Sequence, residues 1–537
     1  MTRLFEAKPA AGLNFSGIAF LVLLGSVAFR CIAIDRPLLG NFAVYQTAQA
    51  MISRFFIENH FSTWLYPQVN VLSNGQPGLL LLYYPVGSFL VAVLHQVTHL
   101  PLEILGRLQA IVFFLFASTY LYKLVKKTND SRTAFFSMLI FAILPLTIIY
   151  GRSFQNEMAT IFFSLFFLYQ ILQALEAPGP GRIFLAASGW TFVLLTRPNN
   201  LHLLAPVFFS LFFHGCPGLS FRRKAAVAAG VLFLGSLLPA FWYWHLWKVT
   251  EEANNIYSTM FAQLAVRSSF ISSLALSLNF YRDLLDMLME LVLTPPGFTF
   301  GLWGIWIGFR HFKKYGFYLI WALAFFTGAL LIPRKLIDHN FYWLHFIAAF
   351  VPLISAGLLD WVDRLEEKDK KSALLIFILA MAVISCRYAL NPAFIIPKSD
   401  QTIPALGKKL QAMTSKEKDR IVVQGTHSLL YYADRWGYTM SFTPKNEISD
   451  YLTSANWEKL SEKQWKERIR AGYQPSTQLE YLIQWEGATH LAVSDLSAFE
   501  AAKDFAEYMR RHYPTIYEGP EGLVFQLTPL VPAASRK

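Results

Sequence analysis

Residues 133–174 read TAFFSMLIFAILPLTIIYGRSFQNEMATIFFSLFFLYQILQA, and this stretch decides the fold class. It holds two apolar runs, at 133–150 and 155–174, on either side of a polar turn. A helix needs about 20 predominantly apolar residues to cross the ~30 Å hydrocarbon core of a bilayer. Each run therefore predicts a membrane-spanning helix, and the turn predicts a polar segment at one membrane face.

Runs of the same kind recur through the first 390 residues. The chain of 537 residues is 54% hydrophobic and only 15% charged. This composition excludes an ordinary soluble protein, since soluble domains carry about 25% charged residues. The predicted fold class is a polytopic α-helical membrane bundle of about eleven spans. The spans are predicted at 15–34, 105–125, 133–150, 155–174, 182–196, 200–215, 224–246, 291–309, 316–333, 341–360 and 371–390.

The net charge of +12 indicates topology rather than nucleic-acid binding. Basic residues cluster in short loops between the apolar runs, as the positive-inside rule expects of cytoplasmic loops. The first run follows Arg3 and Lys8 and is interpreted as a membrane anchor rather than a cleaved signal peptide. The basic clusters are Lys123, Lys126, Lys127 and Arg132; Arg222, Arg223 and Lys224; Arg310, Lys313 and Lys314; and Arg364, Lys368, Lys370 and Lys371.

Residues 78–98 form a further apolar run, which Pro85 and Gly87 interrupt. If this run spanned the membrane, two basic clusters would face outward, whereas leaving it out makes every cluster cytoplasmic. We therefore predict that 78–98 lies at the outer interface or re-enters, within a transmembrane domain of residues 1–390. The segments then expected at the outer face are 35–77, 150–156, 196–200, 247–290, 333–340 and everything after residue 391.

Residues 391–537 predict a small extracytoplasmic α/β domain, because charges, Gly and Pro become frequent there and no further spanning run occurs. Strands are predicted at 420–424, 437–442, 489–493 and 523–527, and helices at 429–436, 479–486 and 498–512. Strands that alternate with helices favour a partly parallel sheet. The domain has no cysteine, no Gly-rich phosphate loop and no nucleophile elbow. A supporting or acceptor-binding role is therefore favoured over catalysis.

Ionisable groups at the outer ends of the spans are the candidate site residues. Asp35 follows the first span and could act as general base for an acceptor hydroxyl; the alternative is a helix-end charge meeting headgroups. In the turn 150–157, Arg152 could bind a phosphate oxygen. Glu157 could bind a divalent cation or the sugar, or could simply offset the dipole of the next helix.

Cations in two other outer segments predict a phosphate site. Arg197 lies between two short spans, where a snorkelling arginine is the alternative. The loop 333–340 carries Arg334, Lys335 and His339 on the face where the positive-inside rule gives no reason for them. A lipid phosphate leaving group would explain them, as would attraction to anionic headgroups.

Residues 42–58, FAVYQTAQAMISRFFIE, have apolar positions at helical spacing. The pattern predicts a helix that lies in the membrane interface. A helix that only packs on the bundle is the alternative. The apolar positions are Phe42, Val44, Tyr45, Ala48, Met51, Ile52, Phe55 and Phe56.

Together these features resemble the GT-C superfamily of membrane glycosyltransferases. The branch they resemble is the bacterial one similar to protein mannosyltransferases and the aminoarabinose transferases of lipid A. The resemblance covers the layout of nearly the whole chain. The segments that carry it are Gln46-Thr47-Ala48, Tyr66-Pro67-Gln68-Val69-Asn70, Arg107-Leu108, Tyr150-Gly151-Arg152 with Glu157, His339-Asn340-Phe341-Tyr342, and Tyr431-Tyr432-Ala433-Asp434-Arg435-Trp436-Gly437.

The resemblance implies inverting transfer of a sugar from a polyprenyl-phosphate donor, at the outer face, to a hydroxyl of a lipid, glycan or protein. It implies an acidic base in the first outer loop and a second acidic residue in the next outer turn, for which Asp35 and Glu157 are the candidates. Tyr45, Gln46 and Tyr342 lie in or beside the shared segments and are the candidate substrate-binding residues. No residue is assigned to a metal, and participation of a divalent cation stays open.

The sequence also departs from that family. Gly40-Asn41-Phe42-Ala43-Val44 stands where many relatives have an acidic pair, and Tyr83-Tyr84-Pro85 where some have Glu-Phe-Pro. A catalytically silent scaffold of an envelope glycan-assembly complex therefore stays open, and so does a lipid or glycan transporter. The expected location is the bacterial inner membrane.

Overall fold

The computed structural model describes residues 15–213, 220–260, 277–331, 333–442 and 475–528. Arg3, Lys8 and residues 261–276 of the expected outer segment 247–290 lie outside that part. A helix occurs at each span predicted from the sequence. The helices up to residue 394 are α1 (Phe15–Cys31), α2 (Ala43–Glu58), α3 (Val86–Thr98), α4 (Leu102–Thr128), α5 (Ser131–Ile143), α6 (Pro145–Tyr150), α7 (Glu157–Glu176), α8 (Pro180–Thr196), α9 (Leu204–Phe213), α10 (Phe221–Glu252), α11 (Leu278–Met287), α12 (Thr294–Arg310), α13 (Phe312–Leu330), α14 (Pro333–Asp338), α15 (Trp343–Asp363) and α16 (Glu367–Phe394).

The protein is an integral membrane protein. Among the described residues, five helices are long and apolar enough to cross a bilayer: Leu102–Thr128, Glu157–Glu176, Phe221–Glu252, Asn340–Asp363 and Glu367–Phe394. Leu278–Val292 and Thr294–Arg310 meet at an angle of 106° and add a sixth if they form one broken span. The remaining apolar helices are shorter, as their bounds above show.

Glycines let the central helices approach closely. Gly304 of α12 lies against α15 so tightly that a Cβ added to it would come within 1.9 Å of the Leu353 carbonyl oxygen. A Cβ on Gly357 of α15 would likewise meet the Phe300 carbonyl oxygen at 2.2 Å. Small residues permit such contact between helices in lipid, where the hydrophobic effect no longer drives their association. Helices α12 and α15 therefore form a fixed unit of the bundle.

The run 78–98 is divided between a strand and a short helix. Strand β2 (Gln76–Leu81) takes its first part, and α3 takes the rest. A helix of 13 residues is about 20 Å long at 1.5 Å per residue, less than the ~30 Å hydrocarbon core. Helix α3 buries Val91 and Ala92 and leaves Val97 exposed. A position at the interface or a re-entrant path remains the prediction for this run.

The first outer loop contains a β-hairpin. Strand β1 (Gln68–Ser73) pairs antiparallel with β2. The two residues between them, Asn74 and Gly75, have φ angles of +52° and +69°. Positive φ at both central residues matches the tight hairpin turn that Asn-Gly favours. This Asn-Gly pair is therefore a sequence signal for the hairpin.

The hairpin belongs to one sheet with the C-terminal strands. The order is β3-β2-β1-β5-β4-β6-β8-β7. Strands β1, β5, β4 and β6 are parallel, and β8 and β7 continue the sheet antiparallel. The added elements are β3 (Ile256–Thr259), α17 (Ile403–Met413), β4 (Ile421–Gln424), α18 (Ser428–Ala433), β5 (Gly437–Met440), α19 (Pro475–Glu486), β6 (His490–Val493), α20 (Leu496–Ala501), α21 (Lys503–His512), β7 (Thr515–Gly519) and β8 (Gly522–Gln526).

Helix α2 is enclosed by protein on all sides. Every residue from Gln46 to Ser53 is buried, and α3, β1 and α18 pack around the helix. Its polar side chains find partners inside the protein: the Ser88 hydroxyl donates to Gln49 Oε1 at 2.5 Å, and the Ser53 hydroxyl donates to the Ser88 carbonyl at 3.0 Å. This enclosure is what the alternative, a helix packed on the bundle, predicts, and the position of α2 at the membrane interface stays a prediction.

Candidate functional site

Glu157 and Arg197 form a buried ion pair at one end of the bundle. Glu157 is the first residue of α7, and Arg197 directly follows α8. Arg197 donates from Nε to Glu157 Oε2 at 3.1 Å and from Nη2 to Oε1. Glu157 is the only buried carboxylate in the part of the chain that the structure describes. Because removing one partner of such a pair leaves an uncompensated charge, the two residues act as a unit.

Aromatic rings surround the Arg197 guanidinium. The Cζ atom of Arg197 lies 5.5 Å from the ring centroid of Tyr83, 4.7 Å from that of Phe341 and 4.8 Å from that of Tyr342. Cations within about 6 Å of a ring face are attracted by the ring quadrupole. The aromatic faces and the carboxylate together fix the position of the cation. The predicted residues Glu157, Arg197 and Tyr342 are thereby brought together.

Tyr45 and His339 extend this cluster toward α2. The Tyr45 hydroxyl and His339 Nε2 are 2.9 Å apart. Burial, followed by the neighbouring Tyr342, raises the pKa of Tyr45 to about 12, so its hydroxyl keeps its proton at neutral pH. Beside them, the Tyr150 hydroxyl donates to Asn340 Oδ1 at 2.5 Å. The loop 339–342 is therefore fixed to both α2 and α6.

Gln46 joins two backbone segments. Its Nε2 donates to the Asn41 carbonyl at 3.0 Å, and its Oε1 accepts from the Phe154 amide at 3.1 Å. Both ends of the amide are thus used within the protein. Gln46 shapes the junction between α2 and the turn 150–156, from which α7 and Glu157 start.

Arg152 points away from the Glu157–Arg197 pair. It donates from Nη1 to the Ala393 carbonyl at 2.5 Å and from Nη2 to the carbonyls of Ile32 at 2.7 Å and Ala33 at 3.2 Å. Burial, together with other nearby arginines, lowers the pKa of Arg152 to about 10. In this structure Arg152 connects the ends of α1 and α16.

Asp35 lies on the exposed loop after α1. The loop is held by Arg107 of α4, which donates to the carbonyls of Ile34 at 2.8 Å, of Arg36, and of Pro37 at 2.7 Å. Asp35 interacts electrostatically with Arg107. Its loop is therefore fixed, and the arginine that interacts with Asp35 is Arg107, whereas the arginine bound to Glu157 is Arg197.

Arg334 and Lys335 belong to α14, just before His339. Their side chains lie outside the described part of the chain. This short helix precedes, in the sequence, the loop that contains Phe341 and Tyr342. Their role at a phosphate stays a prediction.

Several residues of the cluster carry no strong sequence signal. Phe42, at a positive φ of 52°, contacts the rings of Tyr45 and His339. His202 and His345 have ring centroids 5.3 Å apart, although they are far apart in sequence. Neither ring nitrogen of His345 has a hydrogen-bond partner among the described residues. Periodicity places these residues on helices, but only the folded chain brings them beside Arg197.

The C-terminal segment that carries His427 and Ser428 contacts α2 next to Tyr45. His427 Nε2 lies 2.9 Å from the Val44 carbonyl, and its Nδ1 lies 3.4 Å from the Tyr257 hydroxyl. The carbonyl therefore accepts from Nε2, and the Tyr257 hydroxyl donates to Nδ1. Burial lowers the pKa of His427 to about 4, so the ring is neutral at neutral pH. Ser428 and Thr47 add a hydroxyl contact at 3.3 Å.

Within the described ranges, no three His, Cys, Asp or Glu side chains are grouped closely enough to hold a metal ion. Both oxygens of Glu157 accept from Arg197. This carboxylate therefore already has a counter-charge in Arg197.

Residues 81–244 match a family model described as dolichyl-phosphate-mannose-protein mannosyltransferase. No curated protein sequence matches the chain. Among solved structures, ArnT from Cupriavidus metallidurans bound to undecaprenyl phosphate is 14% identical with a TM-score of 0.62, over 95% of this chain and 97% of ArnT.

Two further structures share the fold. The oligosaccharyltransferase AglB from Archaeoglobus fulgidus, in complex with an inhibitory peptide and a dolichol-phosphate, is 13% identical with a TM-score of 0.55, over 97% of this chain and 76% of AglB. The arabinofuranosyltransferase AftD from Mycobacteria is 11% identical with a TM-score of 0.53, over 96% of this chain and 42% of AftD. These matches confirm the resemblance to the GT-C superfamily and to its mannosyltransferase-like and ArnT-like branch.

Proposed function

We propose that this protein is a glycosyltransferase that moves a sugar from a polyprenyl-phosphate donor to a hydroxyl of a lipid, glycan or protein. The observation that carries the proposal is the cluster of Glu157, Arg197, Tyr45, His339 and Tyr342, built from four separate parts of the chain. It supplies a fixed cation, neutral hydrogen-bond donors and aromatic faces. The GT-C fold, which this chain shares with ArnT bound to undecaprenyl phosphate, supports the same reaction class.

The proposed topology places this cluster at the outer membrane face. Eleven spans within residues 1–390 make every basic loop cytoplasmic, as the positive-inside rule requires. Residues 391–537 then form an extracytoplasmic domain of a bacterial inner-membrane protein. Contacts such as that between His427 and the Val44 carbonyl support a common side for this domain and the first outer loop.

In the proposed reaction, the acceptor oxygen attacks the anomeric carbon from the side opposite the phosphate. The bond from that carbon to the phosphate oxygen breaks, and the polyprenyl phosphate leaves with the electron pair. The acceptor proton passes to a carboxylate, for which Asp35 is the proposed base. Arg197 and His339, with Arg334 and Lys335, are proposed to stabilise the phosphate charge, and Arg152 to position the loop that carries Asp35.

A non-catalytic scaffold is the second candidate, and a specific observation favours it. The buried carboxylate, Glu157, is occupied by Arg197. Asp35 is exposed on the loop after α1, and none of the contacts described for the Glu157–Arg197 cluster involves it. A non-catalytic protein of this fold would need the cluster only to hold its segments in place, and not to bind phosphate or transfer a proton.

The test measures release of polyprenyl phosphate from short-chain polyprenyl-phosphate sugars, with membrane extract as acceptor source. Loss of a general base should lower the rate by roughly 10²–10⁴-fold. Asp35→Asn is compared with Glu157→Gln and with Glu251→Gln, a control at an exposed carboxylate of α10. A selective loss in Asp35→Asn supports the base. Unchanged turnover in Asp35→Asn and Glu157→Gln would overturn the site, and a folded parent without turnover on any donor would favour the scaffold.

A further inference from the structure

An apolar groove runs along the outer half of α1. It has a volume of about 240 Å³ and lies between α1, the α5–α6 junction and α16. Its walls include Val22, Gly25 and Phe29 of α1, with Ile148 and Ala382 opposite. Gly25 is an exposed lining residue of the groove, and a Cβ added there would meet no atom within 4 Å. The groove is therefore open enough to accept a chain of carbon atoms.

The groove ends at a buried arginine. Arg30 and Ser26 line it, and Arg30 donates to Ser26 Oγ at 2.5 Å, to the Ala142 carbonyl at 3.0 Å and to the Thr147 carbonyl at 3.1 Å. All three partners are neutral. The Nε of Arg30 has no hydrogen-bond partner among the described residues. The buried Arg30 guanidinium thus has no carboxylate bound to it.

Three further arginines extend this charge to the surface. Arg152 interacts electrostatically with Arg30, and Arg107 and Arg36 interact with Arg152. Each binds backbone carbonyls instead of a carboxylate. Asp35 and Glu103 are the carboxylates that act on Arg107, and the side-chain hydrogen bonds described for the four arginines go to neutral oxygens. The arginine cluster is Arg30, Arg36, Arg107 and Arg152.

The dimensions fit one leaflet of a membrane. Residues 22 and 30 are about 12 Å apart along α1 at 1.5 Å per residue, close to half of the ~30 Å hydrocarbon core. The apolar part therefore lies at the depth of lipid chains, and the arginine cluster at the depth of headgroups. Arg36 is the exposed member of the cluster and can contact a headgroup directly.

We propose that this groove is a binding site for one acyl chain of an anionic phospholipid of the outer leaflet, with the lipid phosphate at the arginine cluster. The apolar walls alone do not select a lipid, since the surrounding bilayer is equally apolar. The positive charge of the arginine cluster selects an anionic headgroup. The site lies apart from the Glu157–Arg197 pair, although it shares Arg152 and the Asp35 loop with the proposed active site, and its place in the outer leaflet rests on the proposed topology.

The test reconstitutes the full chain in an equimolar mixture of phosphatidylglycerol and phosphatidylcholine and counts retained lipids by native mass spectrometry. A basic residue near an anionic headgroup contributes about 1 kcal/mol, which is about fivefold. The parent should retain phosphatidylglycerol about fivefold or more over phosphatidylcholine. Arg36→Gln should lose most of that preference, and Arg36→Lys should recover it.

Two glycine variants test the groove itself. Gly25→Leu should fill the groove and reduce retained phosphatidylglycerol about fivefold or more. Gly230→Leu is the matched control, because a Cβ at that α10 glycine also meets nothing within 4 Å. Equal retention in both glycine variants, or no preference between the two lipids in the parent, would overturn the proposal. None of these readouts requires turnover, so their failure is distinguishable from a failure of the proposed transferase activity.

Discussion

Lowering the pH from about 7.5 to about 5 should loosen the contact between α2 and the C-terminal segment that carries His427. The group responsible is His427, whose ring is 2% exposed and whose pKa burial lowers from 6.5 to about 4. Tyr257 and the Val44 carbonyl face its two nitrogens, and Tyr45 is the next residue on α2. The opened state takes up a proton below pH 6.5, whereas the closed state does so only near pH 4. Stability is therefore fully present above pH 6.5 and falls as the pH drops toward 4.

The magnitude follows from linkage. Since each pKa unit corresponds to 1.36 kcal/mol, the full difference between 6.5 and about 4 is about 3 kcal/mol. At pH 5 the opened state is almost fully protonated at His427 and the closed state is about one tenth protonated. The expected loss is then about 2 kcal/mol, or roughly a thirtyfold increase in opening.

Hydrogen exchange of residues 421–433 measures this opening in the full chain. After correction for intrinsic rates, protection should fall about thirtyfold between neutral pH and pH 5 in the parent. In His427→Gln the amide can still donate to the Val44 carbonyl but cannot titrate, so the fall should be much smaller. His311→Gln, at an exposed position, should behave as the parent does. An equal pH effect in the parent and in His427→Gln would refute the assignment to His427.

Two further changes test the bundle, each by unfolding of the detergent-solubilised protein. Arg197→Leu should lower the free energy of unfolding by about 3–5 kcal/mol, because Glu157 is left buried without a counter-charge. Adding Glu157→Leu to the same chain should recover most of that loss. A double variant that is no more stable than Arg197→Leu would contradict this reasoning. Gly304→Ala should force α12 away from the Leu353 carbonyl and lower the free energy of unfolding by about 1–3 kcal/mol. The control Gly230→Ala should not lower it. Equal melting temperatures for the two variants would show that α12 and α15 are not tightly packed.

The sequence predicts the helices well because apolar runs are long and the membrane limits what they can form. It predicts most C-terminal elements for a related reason: short β-branched segments such as 421–424 alternate with amphipathic ones. The register between distant parts is not readable in this way. Leu79 of β2 pairs with Ile256 of β3, but no sequence pattern in residues 247–260 predicts a strand at the edge of a sheet.

The candidate site shows the same division. Glu157 and Arg197 each stand out as ionisable residues at a helix end, but their pairing depends on how α7 packs against α8. Arg152 stands out equally, and its guanidinium binds backbone carbonyls, because the ends of α1 and α16 happen to lie beside it. Local chemistry thus identifies the candidates, while tertiary packing decides which of them meet.

The shared sheet also sets an order of assembly during synthesis. Val71 of β1 pairs with Gly437 of β5, a residue that the ribosome adds 366 positions later (71 to 437). At about 5–20 residues per second, the hairpin waits roughly 20–70 s for its neighbour. Throughout that interval the free edge of β1 can pair with other chains. A nascent protein of this design would therefore benefit from a chaperone on the side of the membrane where the hairpin emerges.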